Sequence, residues 1–477
     1  MAKAKTIFAC TECGSQFPRW QGRCTECGSW NTICEEVAER KSFGMALAAG
    51  AGGAPVALEE VTAGNAARFS SGLEELDRVL GGGLVKGSLV LVGGPPGIGK
   101  STLLLQAALK LGQIVPPILY ISGEESPQQI RLRADRLCGS LANSGIIILP
   151  ETELESIEAK ISEINPSAVI VDSIQTVFRS DLSPAPGSVT QVRECAASLM
   201  RLAKNRGITI ILVGHVTKGG EIAGPRVLEH LVDTVLHFDS YGIHNVRALN
   251  AVKNRFGTTR EMGFFEMEAE GLRPIPDASK FFLETRIEGI SGTVIFPSME
   301  GTRPVLVEIQ ALVSKSYGAE QGAPPIRRSV GVDLNRLIML AAVLQKRCSG
   351  LGLWKADIFV NAAGGIRLAE PALDLPLVLA IASSLFNKDM GGCAAFGEVG
   401  LGGEIRGVTN AGMRLDELLK LGIKTCFVPS RSSDEEQQAR FAEAGLRVIP
   451  CQTVGDALQK AGFRISSARK KPSENDF

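Results

Sequence analysis

Short apolar runs alternate with amphipathic stretches through the middle of the chain. The apolar runs have the length of buried strands, and they lie at 88–92, 118–121, 168–171 and 208–213. Helical patterns lie between them, most clearly at 102–109 and 189–206. Strands that alternate with helices predict an α/β fold with a parallel sheet covered on both faces.

One junction between a predicted strand and helix carries the pattern G-x-x-x-x-G-K-S, which binds nucleotide phosphates. It consists of Gly94, Pro95, Pro96, Gly97, Ile98, Gly99, Lys100 and Ser101, and Thr102 follows in the helix. Backbone N–H groups and the helix N-terminus favour the charge of a triphosphate. We therefore predict ATP here, with Lys100 on the β and γ phosphates and Ser101 on Mg²⁺. The alternative is a glycine-rich turn without a ligand.

Acidic residues end two other predicted strands. Asp172 ends the run at 168–171, and we expect it to hold the Mg²⁺ through water. Glu124 and Glu125 follow the run at 118–121, at the sheet edge where ligands bind in open α/β sheets. One of the two is expected to deprotonate the attacking water. The alternative is that both are solvated acids at the start of the next helix, which Pro127 opens.

Four cysteines near the N-terminus form two C-x-x-C pairs, each followed by glycine. They are Cys10, Cys13, Cys24 and Cys27. This spacing predicts a structural tetrahedral Zn²⁺ site, and a redox dithiol or spare thiols are the alternatives. The segment is too small for its own core, so the metal would supply its folding energy.

These signals divide the chain into five parts. We predict a zinc ribbon at 1–34, a linker rich in alanine and glycine at 35–65 and an ATPase core at 66–274. A second α/β domain follows at 279–463, and a polar, disordered tail at 464–477.

Composition adds little except in one segment. The chain has 477 residues and a formal net charge of zero, without a long apolar run or a signal-peptide pattern. Scattered cysteines together with zinc and ATP suggest reduced thiols and a cytoplasmic location. Residues 201–260 include nine basic and four acidic residues. This local positive charge would suit the binding of a polyanion.

The segment 69–101 resembles the start of a RecA-type ATPase core. In that superfamily the catalytic glutamate follows the second core strand, where Glu124 lies here. The resemblance also implies that His215 senses the γ-phosphate and that Lys218, in the next loop, contacts DNA. The alternatives are a buried imidazole and a solvated lysine.

The pentapeptide 253–257, together with the four cysteines, resembles the bacterial RadA (Sms) family over almost the whole chain. The resemblance implies a ring in which Lys253 and Arg255 complete the neighbouring subunit's ATP site; a basic hairpin is the alternative. It also implies a DNA-dependent ATPase of recombinational repair, in a hexameric ring around single-stranded DNA. Branched recombination intermediates and a recombinase would be its partners, and branch migration its activity.

The second domain resembles the proteolytic domain of the Lon protease, which uses a Ser-Lys dyad. The serine position falls on Ala372 and the lysine position on Arg414. A methyl group cannot attack a carbonyl, and a guanidinium stays protonated, so we expect no peptidase activity. Arg327 and Arg328, in a predicted loop, are candidate DNA contacts or else an exposed basic pair. A regulator of proteolysis and a non-catalytic adaptor remain the alternative functions.

Overall fold

The structure is a computed structural model that divides into two compact units. It describes residues 5–10, 16–25, 28, 30, 32–38, 68–138, 141, 144–215, 227–242, 245–284, 286–318, 323–349 and 351–467. The first unit comprises Met1–Ser240 and Arg247–Pro274, and the second comprises Tyr241–Val246 and Ile275–Phe477. The sequence analysis had placed 241–246 in the ATPase core. The predicted linker lies almost wholly outside the described residues.

The N-terminal segment is a small antiparallel sheet in the order β2-β1-β3. Its strands are β1 Lys5–Cys10, β2 Gln16–Phe17 and β3 Ile33–Ala38. Cys10, Cys24 and Ile33 are buried at its centre, with Phe8 and Phe17 packed around them. Such a small core cannot fold a domain by itself, which is consistent with a metal-stabilised ribbon.

The rest of the first unit alternates strands and helices, as the hydrophobic pattern predicts. The strands are β4 Arg68–Phe69, β5 Leu84–Val85, β6 Leu89–Gly94, β7 Ile118–Ser122, β8 Ile146–Leu149, β9 Ala168–Asp172, β10 Thr209–His215, β11 Thr234–Ser240, β12 Val246–Asn254, β13 Met262–Glu268 and β14 Gly271–Pro274. The helices are α1 Glu74–Leu80, α2 Lys100–Ile114, α3 Pro127–Leu137, α4 Leu154–Ile164, α5 Val189–Arg206 and α6 Val227–Leu231.

Nine of these strands form one sheet in the order β14-β13-β12-β11-β6-β10-β9-β7-β8. The strands from β11 to β8 in this order are parallel, and β12 turns back antiparallel to β11. Alternate residues of β6 enter separate apolar clusters, with Val90 and Val92 on one face and Leu89 and Leu91 on the other. Helices α2 and α3 cover the first face, and α4 and α5 cover the second. The predicted α/β class with a parallel sheet is confirmed.

The second unit is also α/β. Its strands are β15 Thr293–Glu300, β16 Arg303–Lys315, β17 Arg327–Val330, β18 Cys348–Ser349, β19 Ala356–Ala362, β20 Ala394–Ala395, β21 Glu398–Val399, β22 Ile405–Arg406, β23 Thr425–Pro429, β24 Arg447–Cys451 and β25 Ser466–Ser467. Its helices are α7 Ala278–Leu283, α8 Leu334–Arg347, α9 Asp374–Leu385, α10 Ala411–Lys420, α11 Glu435–Glu443 and α12 Val454–Lys460. Seven strands form its main sheet, in the order β17-β19-β16-β15-β20-β23-β24.

Two local predictions in this unit are wrong. Arg327 and Arg328 do not lie in a loop but in β17, an edge strand parallel to β19. Ser466 and Ser467, assigned to the tail, form β25 and pair with Cys348 and Ser349. Both segments are polar, and backbone hydrogen bonds to a distant strand hold them in place. Residues 468–477 lie outside the described part of the chain.

Candidate active site

The phosphate loop joins the end of β6 to the start of α2. Helix α2 is 15 residues long, its N-cap Gly99 makes no side-chain capping bond, and its first turn has no acidic residue. A side chain built on Gly97 would meet no atom within 4 Å, so the loop is open on that side. An uncapped helix N-terminus beside an open glycine loop fits a phosphate group.

Lys100 is buried at the base of this loop. Its Nζ donates to the carbonyl oxygens of Gly94 at 2.8 Å and Pro95 at 2.9 Å. Burial lowers the pKa of the Lys100 ammonium, and the carboxylates of Asp172 and Glu124 act in the opposite direction. The cation therefore lies in the field of both predicted acids.

Sheet register brings the two acidic strand ends together. Ser122 at the end of β7 lies opposite Asp172 at the end of β9. Ser173, the next residue, donates its hydroxyl to Glu124 Oε1 at 2.8 Å. Glu125 instead forms an ion pair with Arg133 of α3. Glu124 therefore faces Asp172 and the phosphate loop, while Glu125 is paired with the following helix, α3.

Two neighbours of this site were missed by the sequence analysis. Tyr120 is 1% exposed and donates its hydroxyl to Asp172 Oδ2 at 2.6 Å. Burial first, and then Asp172, raise the pKa of Tyr120 well above its usual value, so it remains a donor. Arg247 of β12 donates from Nε to the Ile98 carbonyl at 3.3 Å. Tyr120 lies in a run that looks purely apolar in sequence, and only sheet register reveals its partner.

The expected γ-phosphate sensor ends a strand beside the phosphate loop. His215 lies opposite Gly94 in the parallel pair β10–β6, although its side chain is outside the described part of the structure. Lys218 also lies outside it. Their roles stay predictions.

The two cations of the pentapeptide have different surroundings. Lys253 Nζ donates to the carbonyls of Glu229 at 2.6 Å and Val232 at 2.8 Å, at the end of α6. Burial and nearby Arg255 lower the pKa of Lys253. The Arg255 side chain is 55% exposed, and its Nη1 lies 3.5 Å from Asp233 Oδ1. Lys253 thus caps a short helix, whereas Arg255 presents its charge to solvent.

Arg255 lies at the opposite end of β6 from its own phosphate loop. Asp233, its partner, accepts the backbone N–H of Leu89 at the first residue of β6. Strand β6 has six residues, so its ends are about 17 Å apart at a rise of about 3.3 Å per residue. An arginine side chain cannot span that distance to its own nucleotide.

Half of the predicted zinc ligands lie in the described ribbon. Cys10 and Cys24 are 2% and 0% exposed, whereas Cys13 and Cys27 lie outside the described residues. Gly28 has φ of 76° and donates its N–H to the Cys24 carbonyl at 2.9 Å. This tight turn after the second C-x-x-C pair is the backbone geometry that a zinc knuckle requires, so the residues fit the metal.

The protease-like positions of the second unit hold a partly buried ion pair. Ala372 is 1% exposed, and the Arg414 side chain is wholly buried. Arg414 pairs with Glu370 and donates to the carbonyls of Pro297 and, at 3.2 Å, Thr409. A guanidinium so engaged is a structural group, and the methyl of Ala372 offers no nucleophile.

The candidate DNA contacts in β17 also differ from each other. Arg327 donates to the carbonyls of Ile326, Leu353 and Ala356, and burial lowers its pKa. Arg328 is exposed. Only Arg328 presents its charge to solvent.

Comparison with known proteins agrees with this site. A family described as AAA domain matches residues 55–221, and one described as rubredoxin metal binding domain matches residues 8–35. A KaiC-like protein from Pyrococcus horikoshii OT3 is 21% identical, with a TM-score of 0.38, over 44% of this chain and all of its own. The fold and the site define a P-loop ATPase with an N-terminal zinc ribbon.

Full-length relatives narrow the class to one family. Proteins named DNA repair protein RadA match from Bacillus subtilis at 49% identity, Halalkalibacterium halodurans at 48% and Pseudomonas aeruginosa at 47%. Each match covers 96% of this chain and 99% of the relative. The chain therefore belongs to the RadA family of DNA-repair proteins. Within the described ranges, no helix is long and apolar enough to cross a membrane.

Proposed function

We propose that this protein is a cytoplasmic, DNA-dependent ATPase that moves along single-stranded DNA and promotes branch migration during recombinational repair. The observation that carries the ATPase activity is the convergence of Lys100, Asp172 and Glu124 at one sheet edge. The DNA substrate follows from the family, and the basic residues between 201 and 260 suit it.

In this proposal the chain's residues divide the work of hydrolysis. The loop amides and Lys100 bind the triphosphate, and Ser101 and Asp172 hold the Mg²⁺, which neutralises charge on the phosphates. Tyr120 fixes the orientation of Asp172 through its hydrogen bond. Glu124 accepts the proton of the attacking water, and Ser173 orients its carboxyl group.

The position of Arg255 supports the proposal of a ring. Because it cannot reach its own nucleotide, Arg255 can act in hydrolysis only at the site of another subunit, as transition-state arginines supplied in trans do. A closed ring gives every subunit such a neighbour, and we propose a hexamer. We propose that Lys253 also acts at the neighbouring subunit's ATP site; within its own subunit its ammonium is bound to carbonyls at the end of α6. The partners we propose are branched recombination intermediates and a recombinase.

The second unit is proposed to serve as a scaffold for ring assembly and DNA contact. A protease regulator and a non-catalytic adaptor are the competing functions, and one experiment separates the three. The protein is incubated with ATP and a synthetic branched DNA, with Lys100→Ala as the control, and casein is the protease substrate. We expect ATP-dependent branch migration that the control lacks, and intact casein. Casein degradation, or unchanged junctions during ATP turnover, would contradict the proposal.

A further inference from the structure

A buried carboxylate lies beneath the pentapeptide 253–257. Asp233 is 1% exposed and stands between α6 and β11. Its carboxylate accepts the N–H of Leu89 at 3.1 Å and the ammonium of Lys204 at 2.6 Å, and it lies 3.5 Å from Arg255. Its backbone carbonyl accepts the Arg255 N–H at 3.1 Å. One residue thus contacts both the backbone and the side chain of Arg255.

These contacts tie together three elements that are distant in sequence. Leu89 begins the strand that leads to the phosphate loop, Lys204 lies in the last turn of α5, and Arg255 follows β12. Lys204 also lies over the ring of Phe256, with its Nζ 5.6 Å from the ring centroid. The ammonium of Lys204 therefore contacts both Asp233 and Phe256 of the pentapeptide.

The distances indicate that Asp233 holds the backbone of Arg255 firmly and its guanidinium weakly. Lys204 is the closer cationic partner, at 2.6 Å from Asp233 Oδ2. Arg255, at 3.5 Å and more than half exposed, is beyond good hydrogen-bond distance. Its guanidinium can therefore leave Asp233 for a more strongly charged acceptor, such as a phosphate, while its backbone bond keeps the loop in place.

We propose that Asp233 is a positioning residue for Arg255: it orients the guanidinium towards the neighbouring subunit's nucleotide without touching that nucleotide itself. This inference rests on the proposed function, in which Arg255 acts in trans. Without such support a loop arginine would sample many rotamers, and this disorder would reduce its contribution to ATP hydrolysis. The competing explanation is that Asp233 acts within its own subunit, by fixing Leu89 and hence the phosphate loop.

Mixed rings distinguish the two explanations. In Asp233→Asn the side-chain oxygen still accepts from Leu89, whereas the charge that holds Lys204 and Arg255 is lost. We expect kcat with single-stranded DNA to fall by about tenfold or more, because transition-state arginines contribute far more than that. The KM for ATP should stay within about twofold, because the subunit's own phosphate loop is intact. Asp135→Asn, which removes an exposed carboxylate paired with Arg131, is the matched control and should behave as wild type.

The deciding measurement mixes Asp233→Asn with Lys100→Ala. The Lys100→Ala subunit supplies an intact Arg255 to the intact phosphate loop of the Asp233→Asn subunit, so ATPase activity should be partly restored. Mixing Asp233→Asn with Arg255→Ala should restore nothing, because both are defective in the same half of the site. Asp233→Ser is measured in parallel, since its smaller, uncharged side chain tests whether the fold survives without the carboxylate. Loss of fold in both variants would overturn the inference and make Asp233 a residue of the core.

The reference mixture of Arg255→Ala with Lys100→Ala tests the proposed ATP site shared between subunits, independently of Asp233. If that mixture is restored and the Asp233→Asn mixture is not, the positioning role is wrong and the shared site stands. If the reference mixture also fails although mixed rings form, the shared site itself is wrong. Wild-type turnover by Asp233→Asn would likewise overturn the positioning role.

Discussion

Two adjacent glutamates at the end of β7 have opposite environments. Glu124 accepts a hydrogen bond from Ser173, and its charge acts to raise the pKa of Lys100. Glu125 is instead paired with Arg133 on α3. The strand pattern alone leaves the two equivalent, because both follow the same strand, and only the family resemblance favours Glu124. The hydrogen bond from Ser173 to Glu124 depends on the register between β7 and β9. The residues next to Glu124 in sequence do not determine that register.

Replacement of each glutamate should therefore give different results. We expect Glu124→Gln to bind ATP normally and to lose about 10²-fold or more in kcat, because general-base catalysis contributes that much. Glu125→Gln is the matched control and should keep most of its turnover. Steady-state ATPase assays with a nucleotide-binding measurement check this. Full activity in Glu124→Gln together with an inactive Glu125→Gln would reverse the assignment.

Arg414 shows what occupies the lysine position of the protease-like domain. Its wholly buried guanidinium pairs with Glu370 and lies 5.6 Å and 6.0 Å from the ring centroids of Phe396 and Phe296. The sequence could show that no base exists at this position, because an arginine cannot deprotonate. It could not show that the residue is structural, since Glu370 is distant in sequence.

Removing this buried charge should destabilise the protein. Arg414→Met leaves Glu370 without its cationic partner, so we expect a loss on the order of 3 kcal/mol in the free energy of unfolding. Arg440→Met, at an exposed pair with Asp416, is the control and should cost less than about 1 kcal/mol. Urea unfolding followed by circular dichroism measures both. Equal midpoints for the two variants would contradict a structural role for Arg414.

At the scale of elements, the sequence predicts best where the pattern is long and local. Helix α5 has the predicted limits, with Ser188 capping its start and Gly207 ending it. Short polar strands are not predictable in the same way. Strand β17 exists because its backbone pairs with β19, and no side-chain periodicity marks that pairing.

The two arginines of β17, which the sequence analysis placed in a loop, have different surroundings in the strand. Arg328 is exposed, whereas Arg327 is bound to three backbone carbonyls of its own unit. If the strand contacts DNA, Arg328→Ala should reduce the slope of log K against log salt by about 0.7 for single strands, for all sequences alike. Arg327→Ala should lower stability and leave the slope unchanged. A slope altered only by Arg327→Ala would contradict this division of roles.

The zinc ribbon is the element whose folding should depend on a ligand. Cys24 lies at its buried centre, so Cys24→Ser should release the single Zn²⁺ per chain and unfold the segment. Cys138→Ser, outside the ribbon, is the control and should retain the metal. Elemental analysis of freshly purified protein gives the zinc content of each. A wild-type protein without zinc would exclude the predicted site.

At the scale of the whole molecule, the order of motifs along the chain was the most informative feature of the sequence. It indicated the family that full-length relatives then confirmed. The resemblance implied a role for Arg255 at a neighbouring ATP site, but it did not indicate Asp233. The argument for both residues depends on which end of β6 they lie beside, and the order of strands in the sheet is needed to establish that.

The dependence of ATP hydrolysis on single-stranded DNA tests the central claim most directly. Turnover by the purified full-length chain is measured at saturating ATP and Mg²⁺ while an unstructured oligonucleotide is titrated, with Lys100→Ala measured alongside. We predict that turnover rises with the oligonucleotide and saturates, and that the Lys100→Ala protein shows no turnover at any concentration. Turnover that is the same with and without DNA, or that persists in Lys100→Ala, would contradict a DNA-dependent ATPase built on this site.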